Sequence, residues 1–248
     1  MISPLKKILR KLIKKRPPQW FFQDYKTLKN QEQTNTPRFV LSEAGLYPCL
    51  NDRTTNTPID RHYIYHPAWA AQVLAQTKPQ KHVDISSTLH FSTMLAAFIP
   101  TEFYDYRPAD IELDNYYSAK ADLTNLFFED NSVQSLSCMH TIEHIGLGRY
   151  GDPIDYDGDL KAMRELSRVL APGGNLLFVT PVGAKDIIHF NAHRIYTATS
   201  ISTYFKQFGL HLKEFTYIAQ KSGGLRVEQV ENVQTTDNYG CGCFWFTK

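Results

Sequence analysis

Three ionisable side chains, His140, Glu143 and His144, follow directly on the apolar run from Val133 to Met139. A histidine titrates near neutral pH, so it can take the proton of a weak nucleophile such as a hydroxyl as attack proceeds. A neighbouring carboxylate can orient the ring, which assigns His144 as the base and Glu143 as its orienting partner. The same pair can also be a structural contact. A cluster at the carboxyl end of a buried strand stands where open parallel sheets bind ligands. His189 and His193, in the segment HFNAHRIY, form a second pair of candidate bases. The acids Asp152, Asp155, Asp157 and Asp159 invite a metal reading. Asp155, Asp157 and Asp159 fit positions 1, 3 and 5 of a calcium loop, but Leu160 and Leu166 stand where the loop needs Gly and Glu. These acids read instead as turn and helix-cap carboxylates. Cys49, Cys138, Cys241 and Cys243 have neither zinc-site nor disulfide-framework spacing. No metal site is expected, and the cysteines read as reduced.

The elements around the cluster make one βαβ unit. A strand from Val133 to Met139 leads into the polar loop. A helix from Asp159 to Leu170 follows, with Asp159 as N-cap and Ala162, Met163, Leu166, Val169 and Leu170 as its core stripe. Pro172-Gly173-Gly174 stops it, and a strand from Asn175 to Thr180 returns. Upstream, the pattern predicts a helix over Pro67–Thr77, a strand His82–Ile85, a helix about Ser92–Ile99 and strands Glu102–Asp105 and Ser118–Ala121. Downstream it predicts a helix Ser200–Phe208 and strands Leu210–Ala219 and Cys241–Thr247. Such alternation means a parallel sheet wound on both faces. Residues 19 to 60 are polar and turn-rich and read as a cap or lid.

The chain has 248 residues and a net charge of +2. Lys6, Lys7, Arg10, Lys11, Lys14, Lys15 and Arg16 contribute +7, and taking +7 from +2 leaves −5 on the remainder. That balance argues against nucleic-acid binding by the main body. No apolar run reaches the roughly eighteen residues of a membrane span, and no signal peptide is evident. A cytoplasmic protein is expected. Walker loops, nucleophile elbows and HExxH are absent from the sequence.

From Lys81 to Lys248 the order of elements resembles the class I S-adenosylmethionine-dependent methyltransferases. The resemblance is carried by Ala121-Asp122-Leu123 with Phe127, by Asp130-Asn131-Ser132-Val133, by Glu143-His144, and by Glu165…Arg168-Val169-Leu170-Ala171-Pro172-Gly173-Gly174. HIGLGRYGDPIDYDGD and FNAHRIY resemble a little-characterised group associated with bacterial polysaccharide synthesis. The fold so implied is a Rossmann-like three-layer α/β sandwich, with a mostly parallel seven-stranded sheet and an antiparallel C-terminal edge strand. The domains implied are a basic amphipathic helix (1–18), a cap or lid (19–66) and a methyltransferase-like domain (67–248). The activity implied is O-methylation of a sugar hydroxyl in polysaccharide or glycolipid synthesis, with a sugar or lipid-linked glycan as substrate. The alternative is a non-catalytic binding module.

The resemblance implies S-adenosylmethionine as cofactor, held by Asp84, Ile85, Ser86, Ser87, Asp105, Asp122, Leu123 and His140. Asp84 would accept from the methionine ammonium, or it caps the next helix. Asp105, 21 residues on, would hold the ribose hydroxyls, or it pairs with Arg107. Asp122 would accept from the adenine amine with Leu123 offering its N–H, or it is a turn carboxylate. The sequence departs from the family at the glycine-rich loop, where Ser86, Thr88 and His90 replace the three glycines. Glycine serves there because backbone approaches the cofactor and can need positive φ. Serine at the first place is tolerable if φ stays negative.

Pro4 to Lys15 reads as an amphipathic helix, with Leu5, Ile8, Leu9, Leu12 and Ile13 on one stripe and cations on the other face. Pro17-Pro18 ends it. This is the pattern of a helix lying on an anionic membrane surface, and also of a terminal helix docked on protein. On the membrane reading, the full-length chain co-sediments with anionic liposomes at low salt and is released by salt; failure to co-sediment removes that reading.

Overall fold

The computed structural model describes residues 16–36, 38–233 and 239–248. The predicted helix from Pro4 to Lys15 lies outside the described residues. The chain divides into two compact units, Met1–Pro58 and Ile59–Lys248. In the first, helix α1 (Gln19–Thr34) buries none of its side chains. The sequence shows no apolar stripe there, so the helix was not expected. The Lys29 ammonium donates to Glu32 at 2.6 Å and to the Leu41 carbonyl at 2.9 Å, holding the following loop to the helix.

The second unit runs through α2 (Arg61–Thr77), β1 (His82–Ile85), α3 (Leu89–Leu95), β2 (Thr101–Asp105), β3 (Tyr116–Lys120) and β4 (Val133–Met139). It continues through α4 (Gly158–Val169), β5 (Leu170–Val182), β6 (Ile187–His189), β7 (His193–Ile195) and α5 (Ala198–Gln207). It ends with β8 (His211–Ile218), β9 (Arg226–Val227) and β10 (Gly240–Thr247). The main sheet has the order β3-β2-β1-β4-β5-β10-β8-β9. β1 to β5 are mutually parallel, and β10 lies antiparallel between β5 and β8. Strand order reverses between β1 and β4, which is the switch point of a doubly wound sheet. Among the described residues no helix is long and apolar enough to cross a membrane.

The Rossmann-like class is as the sequence implied, but the sheet has eight strands and the last is interior. The burial of β10 explains this. Every residue from Gly240 to Phe246 is buried, and a strand covered on both faces reads as a continuous apolar run rather than an alternation. The short β9 takes the edge. Alternation across β5 and β10 divides the core into two layers. Leu176, Phe178, Phe244 and Phe246 face one side with Met163, Leu166 and Phe205. Leu177, Val179, Cys243 and Trp245 face the other with Trp69, Val73 and Leu74 of α2.

All four helices expected in this unit begin earlier than expected, α3 at Leu89 rather than Ser92 and α5 at Ala198 rather than Ser200, and for two the cap explains it. α2 begins at Arg61, not Pro67; the Asp60 carboxylate caps it, accepting from the Tyr63 N–H at 3.3 Å. Pro67 sits inside the helix. α4 begins at Gly158, and Asp159 is not its cap. Asp159 is buried and accepts from the Tyr196 hydroxyl at 2.8 Å, with the Arg194 guanidinium 3.5 Å away.

The Glu165…Arg168 motif acts as a clamp on the loop after β3. Arg168 donates to the carbonyls of Leu126 (2.8 Å) and Phe128 (2.9 Å), to Glu165 (2.8 Å) and to Asp130 (2.6 Å). Glu165 accepts in turn from the Leu126 N–H at 2.8 Å. The loop that carries Asp122 and Leu123 is thereby tied to α4. We expect Arg168→Ala to cost about 2 kcal/mol, since it leaves two part-buried loop carbonyls and Glu165 without their partner, and Arg168→Lys to recover little, since an ammonium lacks the planar fork. Denaturant midpoints check this; a loss under about 0.5 kcal/mol removes the clamp.

Candidate functional site

The switch point is cross-linked by a line of buried polar groups. His82 on β1 meets Ser135 Oγ through Nδ1 (2.7 Å) and Ser137 Oγ through Nε2 (2.9 Å), both on β4. The Ser137 hydroxyl donates to Asp84 Oδ2 at 2.6 Å. Burial pushes the His82 pKa down to about 3, so the ring is neutral. Ser137 has one proton and gives it to Asp84, so it must accept from His82 Nε2–H. Nδ1 then accepts from Ser135. Every donor in the chain thus points toward Asp84. Burial pushes Asp84 up to about 6, against the hydrogen bonds from Ser137 and Ser87 that favour its charged form.

Beyond Asp84 the two switch-point loops are joined. The Ser87 N–H donates to Asp84 Oδ1 (2.9 Å), and the Met139 N–H donates to Ser87 Oγ (3.1 Å). The Thr141 hydroxyl donates to the Ser86 carbonyl at 2.8 Å. Ser86 has φ +58°, the left-handed region that costs an L-residue roughly 1–2 kcal/mol. Its N–H on the Tyr104 carbonyl (2.8 Å) holds it there. The condition of negative φ is not met: serine occupies the glycine conformation. His140, at the end of β4, is also left-handed, with φ +56°. Thr88 caps α3, its hydroxyl accepting from the Phe91 N–H at 3.4 Å.

Two cavities of about 140 Å³ each open at these strand ends, sharing Ser86, Tyr106, His144, Ile145 and Tyr150 in their walls. One adds Ala121, Asp122, Leu123 and Thr124 from the end of β3, and the other adds Asp105, Arg107 and His140. Asp105 accepts from the Arg107 N–H at 2.7 Å. Asp122 Oδ1 accepts from the Thr124 N–H and hydroxyl, at 2.8 and 2.7 Å. The Arg107 guanidinium lies 4.4 Å over the Tyr150 ring, so the loop after β4 reaches across the end of β2. That loop is drawn tight by Asp152, which accepts from the N–H groups of Gly146 and Gly148. A Cβ at Gly146, φ +78°, would collide with the Asp155 carbonyl.

The sequence-derived residues therefore separate by depth. Ser86, Asp105, Asp122, Leu123, His140 and His144 line the cavities. Asp84 is wholly buried behind them, Ile85 is core, and Ser87 links the loops. Glu143 is buried and bonds His140 Nδ1 at 2.9 Å, not His144, whose Nε2 is 4.0 Å away. The single 3-10 turn Ile142–His144 brings Glu143 under His140. His144 is oriented by a backbone group instead. Its Nδ1–H donates to the Ala192 carbonyl at 2.7 Å, which leaves Nε2 as the basic nitrogen. Burial lowers its pKa, so the ring is neutral and able to accept a proton. Tyr106 and Tyr150 carry no signal in the sequence, since aromatic loop residues have no spacing pattern; Arg107, read there as an ion-pair partner of Asp105, offers its backbone N–H instead.

A further group of histidines lies beside His140. The His62 ring stacks on it at 5.8 Å between centroids, and His66 meets it edge-on at 5.0 Å. His140 Nε2 is 3.4 Å from Cys241 Sγ on β10. Burial opposes a charged His140 ring, but the Cys241 sulfur and the Glu143 carboxylate on its two nitrogens outweigh it and raise its pKa to about 10. Burial and the neighbouring His140 lower His62 to about 4 and His66 to about 3.

A family model described as "Caenorhabditis protein of unknown function, DUF268" matches residues 119–240. No curated protein matches the sequence. Among solved structures, a chain from the complex of the Haloferax volcanii Trm112 methyltransferase activator superposes with TM-score 0.52 at 18% identity, covering 76% of this chain and 90% of its own. The 4+2 cyclase SpnF superposes with TM-score 0.51 at 13% identity, covering 73% and 81%. The Burkholderia thailandensis 1,6-didemethyltoxoflavin-N1-methyltransferase, with bound 1,6-didemethyltoxoflavin and S-adenosylhomocysteine, superposes with TM-score 0.50 at 9% identity, covering 74% and 78%. The unit Ile59–Lys248 has the fold of the S-adenosylmethionine-dependent methyltransferases. SpnF, a cyclase, shows that this fold does not fix the reaction.

Asp84 supplies a prediction. Its raised pKa means the folded chain takes up this proton more readily than the unfolded one. The cost of ionising it, about 3 kcal/mol for a two-unit shift, is present above about pH 6 and relieved as pH falls toward 4. Asp84→Asn removes the charge and keeps a carbonyl for the Ser87 N–H, its amide donating to Ser137 as the Ser137–His82–Ser135 chain reverses; the second amide N–H and the Ser135 hydroxyl proton then lack acceptors and offset part of the gain. It should stabilise the fold at pH 7 by up to about 3 kcal/mol and flatten the stability profile between pH 4 and 6. Thermal melts across that range check it; a destabilised variant at pH 7 overturns it.

Proposed function

We propose that the chain is an S-adenosylmethionine-dependent O-methyltransferase acting on a sugar hydroxyl, in polysaccharide or glycolipid synthesis. The observation that carries the methyltransferase reading is the convergence of Asp84, Ser86, Asp105, Asp122 and His144 at the carboxyl ends of β1, β2, β3 and β4. The donor set fits the cofactor. The cavity beside Asp122 and Leu123 is walled by Ile145, Gly146 and Pro153, a slot for a flat heterocycle with polar groups at its edge. Asp105 presents a carboxylate to the adjoining cavity, suited to a vicinal diol. Asp84 lies behind Ser86 and Ser87, the depth at which an ammonium group would be neutralised.

Bound S-adenosylmethionine supplies an electrophilic methyl group on sulfur. The chain's part is to hold the acceptor and manage its proton. The His144 ring stands in the wall common to both cavities, neutral and fixed by its Nδ1–H on Ala192. There it can accept the hydroxyl proton as the oxygen attacks. The sugar class is favoured by the HIGLGRYGDPIDYDGD and FNAHRIY segments, whose His144, Arg149 and Ala192 meet at this wall. The basic segment 4–16 would keep the chain near lipid-linked acceptors at the inner face of an anionic membrane.

A second reading, a binding module that performs no transfer, is favoured by Ser86. Its side chain occupies the cleft wall where the methyltransferase pattern has glycine. Isothermal titration separates the two. Binding of S-adenosylmethionine and S-adenosylhomocysteine at micromolar concentration supports the enzyme; no heat from either at high micromolar concentration favours the module. Within the enzyme reading, His144→Ala should bind S-adenosylhomocysteine normally and lose roughly 10²–10⁴-fold in turnover with the true acceptor. Unchanged turnover removes His144 as the base.

A further inference from the structure

Three side chains from separate parts of the fold converge behind the cleft: His62 in the first turn of α2, His140 at the end of β4, and Cys241 near the start of β10. One ligand atom from each lies within 4.8 Å of the other two, and among the described residues no other such group of three His, Cys, Asp or Glu occurs. We propose that His62, His140 and Cys241 form a binding site for a divalent transition-metal ion of zinc type.

The orphaned atoms around the site are the first argument. His62 Nε2, His66 Nε2 and Glu143 Oε2 are buried and have no hydrogen-bond partner among the described residues. His62 is only 8% exposed, and His66 and Glu143 are at 0% and 1%. Each such atom costs about 1–3 kcal/mol if left unsatisfied, and native cores rarely tolerate several together. A cation accepting the His62 lone pair removes that cost for His62.

The tautomers are the second argument. Metal-binding histidines characteristically give their other ring N–H to a carboxylate or carbonyl. His140 Nδ1 is 2.9 Å from Glu143 Oε1, so its Nε2 is the nitrogen turned toward Cys241. His66, one turn along the same face of α2, pairs its Nδ1 with the His62 carbonyl at 2.6 Å. Its Nε2 is thereby left as a further donor beside the His140 ring.

The dimensions are the third. Zinc bonds of about 2.3 Å to sulfur and 2.0–2.1 Å to nitrogen give a tetrahedron with edges of about 3.3–3.6 Å. The Sγ to Nε2 distance of 3.4 Å is one such edge. The 4.8 Å bound on the others leaves ~1.3 Å to close, within reach of a side-chain rotation. One thiolate with two imidazoles is a borderline-soft set, suited to zinc and unsuited to magnesium or calcium. The Cys241 thiol and the His140 imidazolium each release one proton to solvent as the metal–sulfur and metal–nitrogen bonds form. The exposed Cys49 and the acids of the 152–159 loop take no part.

The test uses the untagged full-length chain, stripped with chelator and dialysed against zinc chloride alone, with cobalt chloride as a parallel probe. One zinc per chain by elemental analysis is expected, and a thiolate-to-cobalt charge-transfer band in the near ultraviolet. His62→Gln and Cys241→Ser should lose the band and at least tenfold in affinity, while Cys49→Ser retains both. Glu143→Gln, which touches no metal, should weaken binding about 10–100-fold. Because Cys241 is wholly buried and its substitution can impair folding, His62→Gln at the edge of the cluster decides if Cys241→Ser is insoluble. Less than about 0.1 zinc per chain, or equal uptake by wild type and His62→Gln, overturns the site.

Discussion

The buried chain Ser135–His82–Ser137–Asp84 is the constraint on which the switch point depends. β1 and β4 are adjacent parallel strands at the centre of the sheet, covered on both faces, where apolar side chains are the rule. Here four polar side chains, each no more than 4% exposed, lie between them. A half-satisfied line of this kind would weaken the core. It is tolerable because each link has one donor and one acceptor, and because the line terminates in a carboxylate that accepts from Ser137 and from the Ser87 N–H. The neutral state of His82 is part of the construction: a protonated ring would present two donors and break the direction of the chain. The sheet centre thus delivers a single buried acid to the floor of the cleft.

What stands above that floor follows from two left-handed residues. Ser86 after β1 and His140 after β4 turn the chain in the same backbone region, one on each side of the strand-order reversal. Both lack the freedom of glycine, so both depend on contacts to stay there. Ser86 is held by Tyr104 from one side and Thr141 from the other, and Thr141 lies next to His140. The two strained positions therefore brace each other. Serine at position 86 keeps the left-handed turn that glycine would make there and adds a side chain to the cleft wall.

The sequence made the class of fold legible because strand–helix alternation and the α4 stripe are local signals. It misplaced β10, although the unbroken run Gly240–Phe246 carried the signature of a strand buried on both faces. It misread Pro67 as a helix start because proline usually marks one; Asp60, seven residues earlier, was the signal. In the site, the acids at strand ends were readable from spacing. The partnership of Glu143 was not: adjacency in sequence suggested His144, whereas the 3-10 turn places Glu143 against His140. The convergence of His62 and Cys241 was unreadable, since it is made by α2 packing on β10, elements from opposite ends of the domain. The one available hint was the His62 and His66 spacing of four, which puts two imidazoles on one helix face.

His140 belongs to both constructions. Its ring lines the cleft beside Asp105 and Arg107, and its Nε2 faces Cys241 on the far side. The ring is held by Nδ1 on Glu143 at 2.9 Å and by the His62 and His66 rings packed against it, so it has little freedom to serve the two sides by moving. Anything that loads Nε2 acts on the cleft through a rigid ring, by changing its charge rather than its place. A proton on that nitrogen and a metal ion on it are alternative cations at the same point, each compensated by the buried Glu143 carboxylate. The orphaned oxygen of Glu143 is then the consequence of a carboxylate positioned for the charge of the His140 cluster rather than for a full set of hydrogen bonds.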